Sequence, residues 1–280
     1  MSGQPKNAPQ KPDLLVQFEI DNIPAEYREY YEIKRNNLFA SIQYFGEMWN
    51  LYMALDHIFM REFGVMKTAR ELDRMFPLLL YFNAHAKIRV AMELALTGCL
   101  AEARSILRDA IEFVAHAHTM ITDVELQKKW LSKNDGKTAL EEFKDAFERH
   151  KKKGVFKGLD ELHKTWGDLS ETGSHATINA MCDRFVQIDS ADHVEFRINY
   201  CGVEEKQWAL SLFSMLMACV TMEQLLFDDY ESRLKLDIEL MRLKGEFDRK
   251  KEELREKIKV KYKVEPPSPI QIPKPIIFRP

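Results

Sequence analysis

Polar side chains that can act as acids, bases or anion ligands recur every four residues along one predicted helix. Arg104, Arg108 and Glu112 are spaced by four, and His116 follows Glu112 at the same interval. Residues four apart share a helix face, so we expect Arg108 to pair with Glu112 and Glu112 to hydrogen-bond His116. Such a face could form an acid–base or anion-binding site. An ion-pair ladder that orients two helices uses the same residues, and the sequence favours that structural role.

A second ladder with the same spacing lies earlier in the chain, at His85, Arg89 and Glu93. If the two helices face each other, the ladders are expected to interlock as one structural network. A network of this kind needs no substrate.

A segment rich in hydroxyl side chains supplies the remaining candidates for chemistry. It contains Ser170 and His175, and Gly173 between them permits a close backbone approach or a break in the helix. His175 could reach the arginines of the first ladder, although a single histidine is more often a core residue. The candidate catalytic residues are therefore Arg104, Arg108, Glu112, His116, Ser170 and His175.

The spacing of these residues predicts neither a metal site nor a cofactor site. A helical di-iron site requires Glu-x-x-His on two helices, whereas Glu112 and His116 are four residues apart. The sequence also lacks a phosphate-binding Gly-x-x-x-x-Gly-Lys loop, a Gly-x-Ser-x-Gly elbow and a dinucleotide-binding glycine pattern. We expect no metal and no cofactor, and a binding or interaction protein is favoured over an enzyme.

Helical periodicity dominates the elements that would position these residues. Apolar residues recur at helical spacing from Pro24 to Arg61 and predict one long helix there. Two apolar helices meet at Gly98, which predicts an antiparallel helical hairpin at the centre of the core. Asp123 is predicted to cap a short helix, and residues 137–153 to form another that ends in three lysines.

The fold class is therefore all-α, a multi-helix bundle with one small β-hairpin insertion, a long C-terminal helix and an extended Pro-rich tail. The chain divides into an N-terminal arm (1–22), a helical bundle with its hairpin at 184–201 (23–230), a charged helical extension (231–264) and a Pro-rich tail (265–280).

The two ends of the chain predict contacts with partners. Apolar residues in 231–258 recur near a 4-3 spacing, which predicts a coiled-coil seam and a homo-oligomer. Lysine alternates with apolar residues over 257–264, which is consistent with an edge strand, a basic stripe for nucleic acid or the end of a helix. The apolar tail is expected to pack along its own bundle or on a protein partner.

Composition favours a cytoplasmic protein. Its 41 basic and 44 acidic residues give a net charge of −3, so no global charge attracts nucleic acid or a membrane. The four cysteines form no Cys-x-x-Cys pair, and the first residues are polar, which favours reduced thiols and no export signal. The uncharged stretch 208–222 is shorter than the roughly 20 residues of a membrane span and predicts a buried core helix.

The segments 103–112 and 169–175 resemble an uncharacterised bacterial family of helical bundles. In that family a helix bearing Arg and Glu precedes a Ser-x-x-x-x-His segment, a small hairpin and a final apolar helix, and the likeness covers residues 70–230. The family looks distantly similar to the higher-eukaryote and prokaryote nucleotide-binding helical domains, some of which cleave RNA in toxin or phage-defence systems. Those nucleases carry four to six residues between Arg and His, whereas seven separate Arg108 from His116 here.

Three functions are consistent with these observations. The first is an oligomeric interaction or scaffold protein, which the missing catalytic signatures and the predicted seam favour. The second is an RNA-directed nuclease or defence component that uses Arg108, Glu112 and His175. The third is a sensor that binds a small anion or a nucleotide at the arginines.

Overall fold

Nine α-helices account for most of the chain that the computed structural model describes, which is residues 23–66, 72–174, 185–189, 194–198, 205–234 and 238–267. In chain order they are α1 (Ala25–Tyr44), α2 (Gly46–Val65), α3 (Leu72–Leu96), α4 (Leu100–Thr122), α5 (Val124–Leu131), α6 (Lys137–Phe143), α7 (Asp160–Leu169), α8 (Glu205–Tyr230) and α9 (Ile238–Tyr262). Two π-helical turns, Lys144–Arg149 and Ser170–Ser174, follow α6 and α7. The described helices agree with the predicted all-α class.

Two short strands lie between α7 and α8 in the chain. β1 (Phe185–Asp189) pairs antiparallel with β2 (Val194–Ile198), and the register places Phe185 opposite Ile198. The residues that join these strands lie outside the described part of the chain, as do the predicted arm 1–22 and residues 268–280 of the predicted tail.

The predicted helical hairpin of α3 and α4 is confirmed. Gly98 has a φ of +85°, a conformation that glycine adopts without the steric penalty of a Cβ atom. The Cys99 N–H donates to the Leu94 carbonyl at 2.9 Å and the Gly98 N–H to the Ala95 carbonyl at 3.1 Å. This pair of hydrogen bonds is a Schellman motif, which ends α3 and turns the chain back into α4.

The single long helix predicted from Pro24 to Arg61 is wrong, because the structure breaks it into α1 and α2. Phe45 leaves the helical conformation, with φ −117° and ψ 33°. Its ring is buried in an edge-to-face contact with Trp208, at 5.7 Å between ring centroids. The apolar periodicity continues across the break, so it could not reveal where the helix ends.

Within the charged segment 231–264, residues 238–262 form α9, which packs on the bundle rather than extending from it. In α9 the residues at the predicted seam spacing lie in the core of the same chain, where Leu240 is fully buried and Phe247 and Ile258 are each 4 % exposed. An amphipathic helix that packs on its own bundle shows nearly the same spacing as a coiled coil. Residues 257–262 are also helical, so the lysine alternation belongs to a helix end rather than to a strand.

One helix of the described part, α8, is both long and strongly apolar. By length and composition it could cross a membrane, with a mean hydropathy of 1.6 over 18 residues, but 78 % of that window is buried inside the bundle. Burial of this extent is typical of a core helix.

A buried cluster of charged side chains, the Glu62 cluster, joins α9 to the bundle. It consists of Glu62 on α2, Glu223 on α8 and Lys244 on α9. The Lys244 ammonium donates to Glu223 and, at 3.2 Å, to Glu62, and it lies 3.9 Å from the centroid of the Phe227 ring. Glu62 is fully buried and Glu223 nearly so, so the protein removes two carboxyl groups and one ammonium group from water together.

Candidate functional site

The first polar ladder lines two separate cavities on α4. Arg108, Glu112 and His116 line a cavity of about 460 Å³, here called the α4 cavity. Its remaining wall consists of Leu80, Asp109, Phe113, Trp130, Lys133, Phe143 and Lys151. Arg104, one turn earlier, lines a different cavity beside α8 and donates a hydrogen bond to Ser211 at 3.1 Å. Arg104 therefore does not share a cavity with Arg108, Glu112 and His116.

Arg108 and Ser170 connect α4 to the end of α7. The Arg108 Nε donates to the Ser170 hydroxyl at 2.8 Å, and that hydroxyl donates to the Trp166 carbonyl at 2.8 Å. Arg108 also donates to Asp109 at 3.0 Å, and its guanidinium lies 4.7 Å from the Trp166 ring centroid. The predicted contact to Glu112 is long, at 3.8 Å. Because Ser170 is buried and engaged on both sides, its hydroxyl is a positioning group.

Glu112 takes its closest partners from outside its own helix. The Lys151 ammonium donates to Oε1 at 2.8 Å, and the Trp166 indole N–H donates to Oε2 at 3.2 Å. Burial acts to raise the pKa of Glu112, but the hydrogen bond and charge of Lys151 outweigh it and hold the pKa below its usual value. Glu112 is therefore ionised at neutral pH.

The predicted hydrogen bond between Glu112 and His116 is wrong. The Nδ1 atom of His116 is buried and has no hydrogen-bond partner among the described residues, and the ring stacks on Phe147 at 5.1 Å. Burial lowers the pKa of His116 to about 4, against the opposing charge of Glu112. The imidazole is neutral at pH 7. The i,i+4 spacing allowed the bond, but Lys151 and Trp166 occupy the carboxylate instead.

The two ladders do not interlock as the sequence predicted. His85 bonds to Asp56 on α2 at 2.8 Å, and Arg89 forms a bidentate pair with the same carboxylate at 2.7 and 2.8 Å. The second ladder thus faces α2 rather than α4. Spacing along one helix defines a shared face, but it does not define the helix that the face contacts.

Gly173 brings the turn after α7 directly onto α4. A Cβ atom at this position would lie 2.8 Å from the Ala101 carbonyl oxygen and 2.9 Å from the Ser105 nitrogen. The predicted close backbone approach is confirmed. His175, two residues later, lies outside the described part of the chain, so its predicted role stays a prediction.

Two lysines of the α4 cavity were not predicted as site residues. Lys151 was expected at the end of the helix predicted over 137–153, but it lies beyond the π-helical turn and bonds to Glu112 across the cavity. Lys133 follows α5, and its ammonium lies 4.8 Å from the Trp130 ring centroid and 5.3 Å from that of Phe143. It makes no ion pair with another described residue.

Comparison of the chain with protein-family models, with curated proteins and with solved structures found no match. The resemblance to a bacterial helical family therefore stays a prediction, and the function is argued from the geometry of the site. Within the described ranges, no group of three or more His, Cys, Asp or Glu side chains is arranged to hold a metal ion.

Proposed function

We propose that this protein binds a small anion that carries a flat ring, of the nucleotide class, in the α4 cavity, and that it acts as a sensor or binding protein rather than an enzyme. One observation carries the proposal. The cavity sets an aromatic wall beside Lys133, a cation that pairs with no acidic group in the described part of the chain.

The aromatic wall suits a flat ring. Phe113, Trp130 and Phe143 all line the α4 cavity. Aromatic faces stack on planar ligands with a broad tolerance for ring type. The volume of about 460 Å³ falls within the range of roughly 300–1,000 Å³ that is usual for small-molecule sites.

The charges of the cavity suit an anion whose ring edge can hydrogen-bond. Lys133 supplies a positive charge, while Asp109 and Glu112 supply acceptors for ring N–H groups. The neutral His116 can donate from one nitrogen and accept at the other, and its buried Nδ1 atom would gain a partner from a bound ligand.

The same geometry does not favour acid–base catalysis at neutral pH. An efficient general base has a pKa near the working pH. Burial lowers the pKa of His116 to about 4. The pKa of Glu112 is also low, because the hydrogen bond and charge of Lys151 outweigh the opposing effect of burial. RNA cleavage through Arg108, Glu112 and His175 remains the alternative. It requires that purified wild-type protein cleave RNA and that His175→Ala abolish cleavage with the fold intact.

The wider architecture is also part of the proposal. We propose that residues 184–201 form a β-hairpin inserted in this bundle and that residues 265–280 form its Pro-rich tail. We also propose that the protein is cytoplasmic. A homo-oligomer through residues 231–258 is not proposed, because four residues at the seam spacing are buried within one chain, namely Leu240, Phe247, Leu254 and Ile258.

Thermal unfolding with three probes tests the function. Adenosine monophosphate should raise the Tm of the wild type by more than adenosine or inorganic phosphate does at the same millimolar concentration. Lys133→Met should abolish the difference between the nucleotide and the nucleoside. Lys129→Met, on the exposed side of α5, is the matched control and should keep it. If none of the probes shifts the wild-type Tm, the proposal is wrong.

A further inference from the structure

A second cavity, here called the α8 cavity, lies where the described chain ends. Its volume is about 590 Å³. The apolar side chains of Leu169, Leu210 and Met215 line it, with Arg104, Asp168 and Lys206 among its polar residues. Val264, Glu265 and Pro267 line it as well.

The chain reaches this cavity through a turn at the end of α9. Lys263 has a φ of +54°, in the left-handed region, and this conformation ends the helix and redirects the backbone. Pro266 is buried, so the chain beyond the turn already packs on the bundle.

Ion pairs hold the redirected chain in place. Glu265 pairs with Arg255 at 2.8 Å and with Lys259 at 2.7 Å, both one or two turns back on α9. Glu205, at the start of α8, accepts from Lys261 at 2.7 Å and from the Tyr262 hydroxyl at 3.0 Å. The starting point of residues 268–280 is thereby held beside the α8 cavity.

The residues that follow have the composition of a docking segment. The sequence 268–280 combines prolines with Ile270, Ile272, Ile276, Ile277 and Phe278. Prolines restrict the unbound chain, so an extended segment loses little backbone entropy when it docks. Five extended residues after Pro267 span about 16 Å, and a cavity of this volume is about 10 Å across. Residues 268–272 are therefore long enough to cross it.

We propose that residues 268–272 occupy the α8 cavity of their own chain, with Ile270 and Ile272 against Leu169, Leu210 and Met215. The same chain is favoured over a second copy because the Glu265 ion pairs hold the segment at the cavity, which gives it a high effective concentration there. The tail is then a built-in ligand that covers apolar surface next to Arg104.

Two paired variants of the full chain test this docking. Ile270→Asp with Ile272→Asp should lower the Tm by about 2–6 °C, because aspartate cannot replace the apolar contacts of the two isoleucines with Leu169, Leu210 and Met215. Ile276→Asp with Ile277→Asp makes the same chemical change beyond the reach of the cavity and should lower it by less than about 1 °C. Equal shifts, or no shift from the first pair, would overturn the proposal.

A substitution in the cavity itself provides an independent test. Ser214→Trp fills the α8 cavity from α8 without changing the tail. Backbone amides of residues 270–272 should exchange with solvent more slowly in the wild type than in this variant, as measured by mass spectrometry of the tail peptide. Equal exchange rates in the two proteins would contradict docking. A native mass of two chains that falls to one in the Ile270→Asp, Ile272→Asp variant would show docking on a second copy and overturn the same-chain assignment.

Discussion

Replacement of Glu62 by glutamine should make the protein more stable at neutral pH. Burial, together with the neighbouring charge of Glu223, raises the pKa of Glu62 far above the usual value of a carboxyl group, despite the opposing effect of Lys244. The folded protein therefore keeps a proton on Glu62 at pH 7, whereas the unfolded chain releases it above about pH 4.3. Since unfolding releases a proton in this range, a rise in pH favours the unfolded state.

The size of the effect follows from this difference in proton binding. Stability is lost at about 1.4 kcal/mol per pH unit between pH 4.3 and pH 7, which amounts to roughly 3–4 kcal/mol as an upper figure. Glutamine keeps the shape of the protonated acid and can accept the bond from Lys244, but it has no proton to release. One oxygen of Glu62, Oε2, has no hydrogen-bond partner in the described part of the chain. The glutamine amide would also leave a buried polar group unpaired there, which offsets part of the gain in stability. We therefore expect a net gain of about 1–3 kcal/mol at pH 7.

Urea denaturation between pH 5 and pH 8 measures this prediction. The contribution of Glu62 falls as pH rises, whereas that of His116 rises up to about pH 6.5 and is common to both proteins. The free energy of unfolding of Glu62→Gln minus that of the wild type should therefore grow with pH across the whole range. Glu125→Gln, at a glutamate whose side chain is 76 % exposed, is the matched control and should reproduce the wild-type slope. A Glu62→Gln variant that is less stable than the wild type at pH 7, or that keeps the wild-type slope, would refute the reasoning.

Three further predictions follow from particular contacts. Gly173→Ala should cost about 1–3 kcal/mol in urea denaturation because its Cβ would meet the α4 backbone, whereas Gly167→Ala, with no atom within 4 Å, should be neutral or stabilising. Tyr81→Phe removes a 2.6 Å hydrogen bond to Asp229 and should cost about 1–2 kcal/mol by the same method. The imidazole of His116 should stay neutral by NMR down to about pH 4, because burial lowers its pKa, so its contribution to stability should fall as pH drops from 6.5 toward 4.

Local signals in the sequence predicted two helix ends correctly. Asp123 accepts bonds from the N–H groups of Glu125 and Leu126, as expected of an N-cap, and Gly98 turns α3 into α4. These signals succeed because a cap or a positive φ depends on a few consecutive residues. They need no knowledge of the tertiary fold.

Tertiary partners were not predictable from spacing. Glu112 and His116 have the right interval for a bond, but Lys151 reaches the carboxylate from 39 residues further along the chain. The seam spacing in α9 likewise describes an apolar stripe without saying whether its partner is the same chain or another. A single sequence shows which residues share a helix face, but not which element packs against that face. These contacts could therefore be identified only from the fold.

The α4 cavity could be predicted only in part. Arg108, Glu112 and His116 were identified from their spacing on α4, and all three line the cavity. Lys133 and Trp130 come from α5 and the turn after it, and no spacing rule relates them to α4. The aromatic wall that favours a flat ligand therefore became visible only when the helices were assembled.

Isothermal titration calorimetry of the wild type with adenosine monophosphate tests the central claim most directly. We predict saturable binding of one nucleotide per chain, at least tenfold weaker in Lys133→Met and unchanged in Lys129→Met. A tenfold loss corresponds to about 1.4 kcal/mol, which is reasonable for one charge-assisted hydrogen bond. Absence of heat with the wild type at millimolar nucleotide, or equal affinity in both lysine variants, would contradict a nucleotide-class site in the α4 cavity.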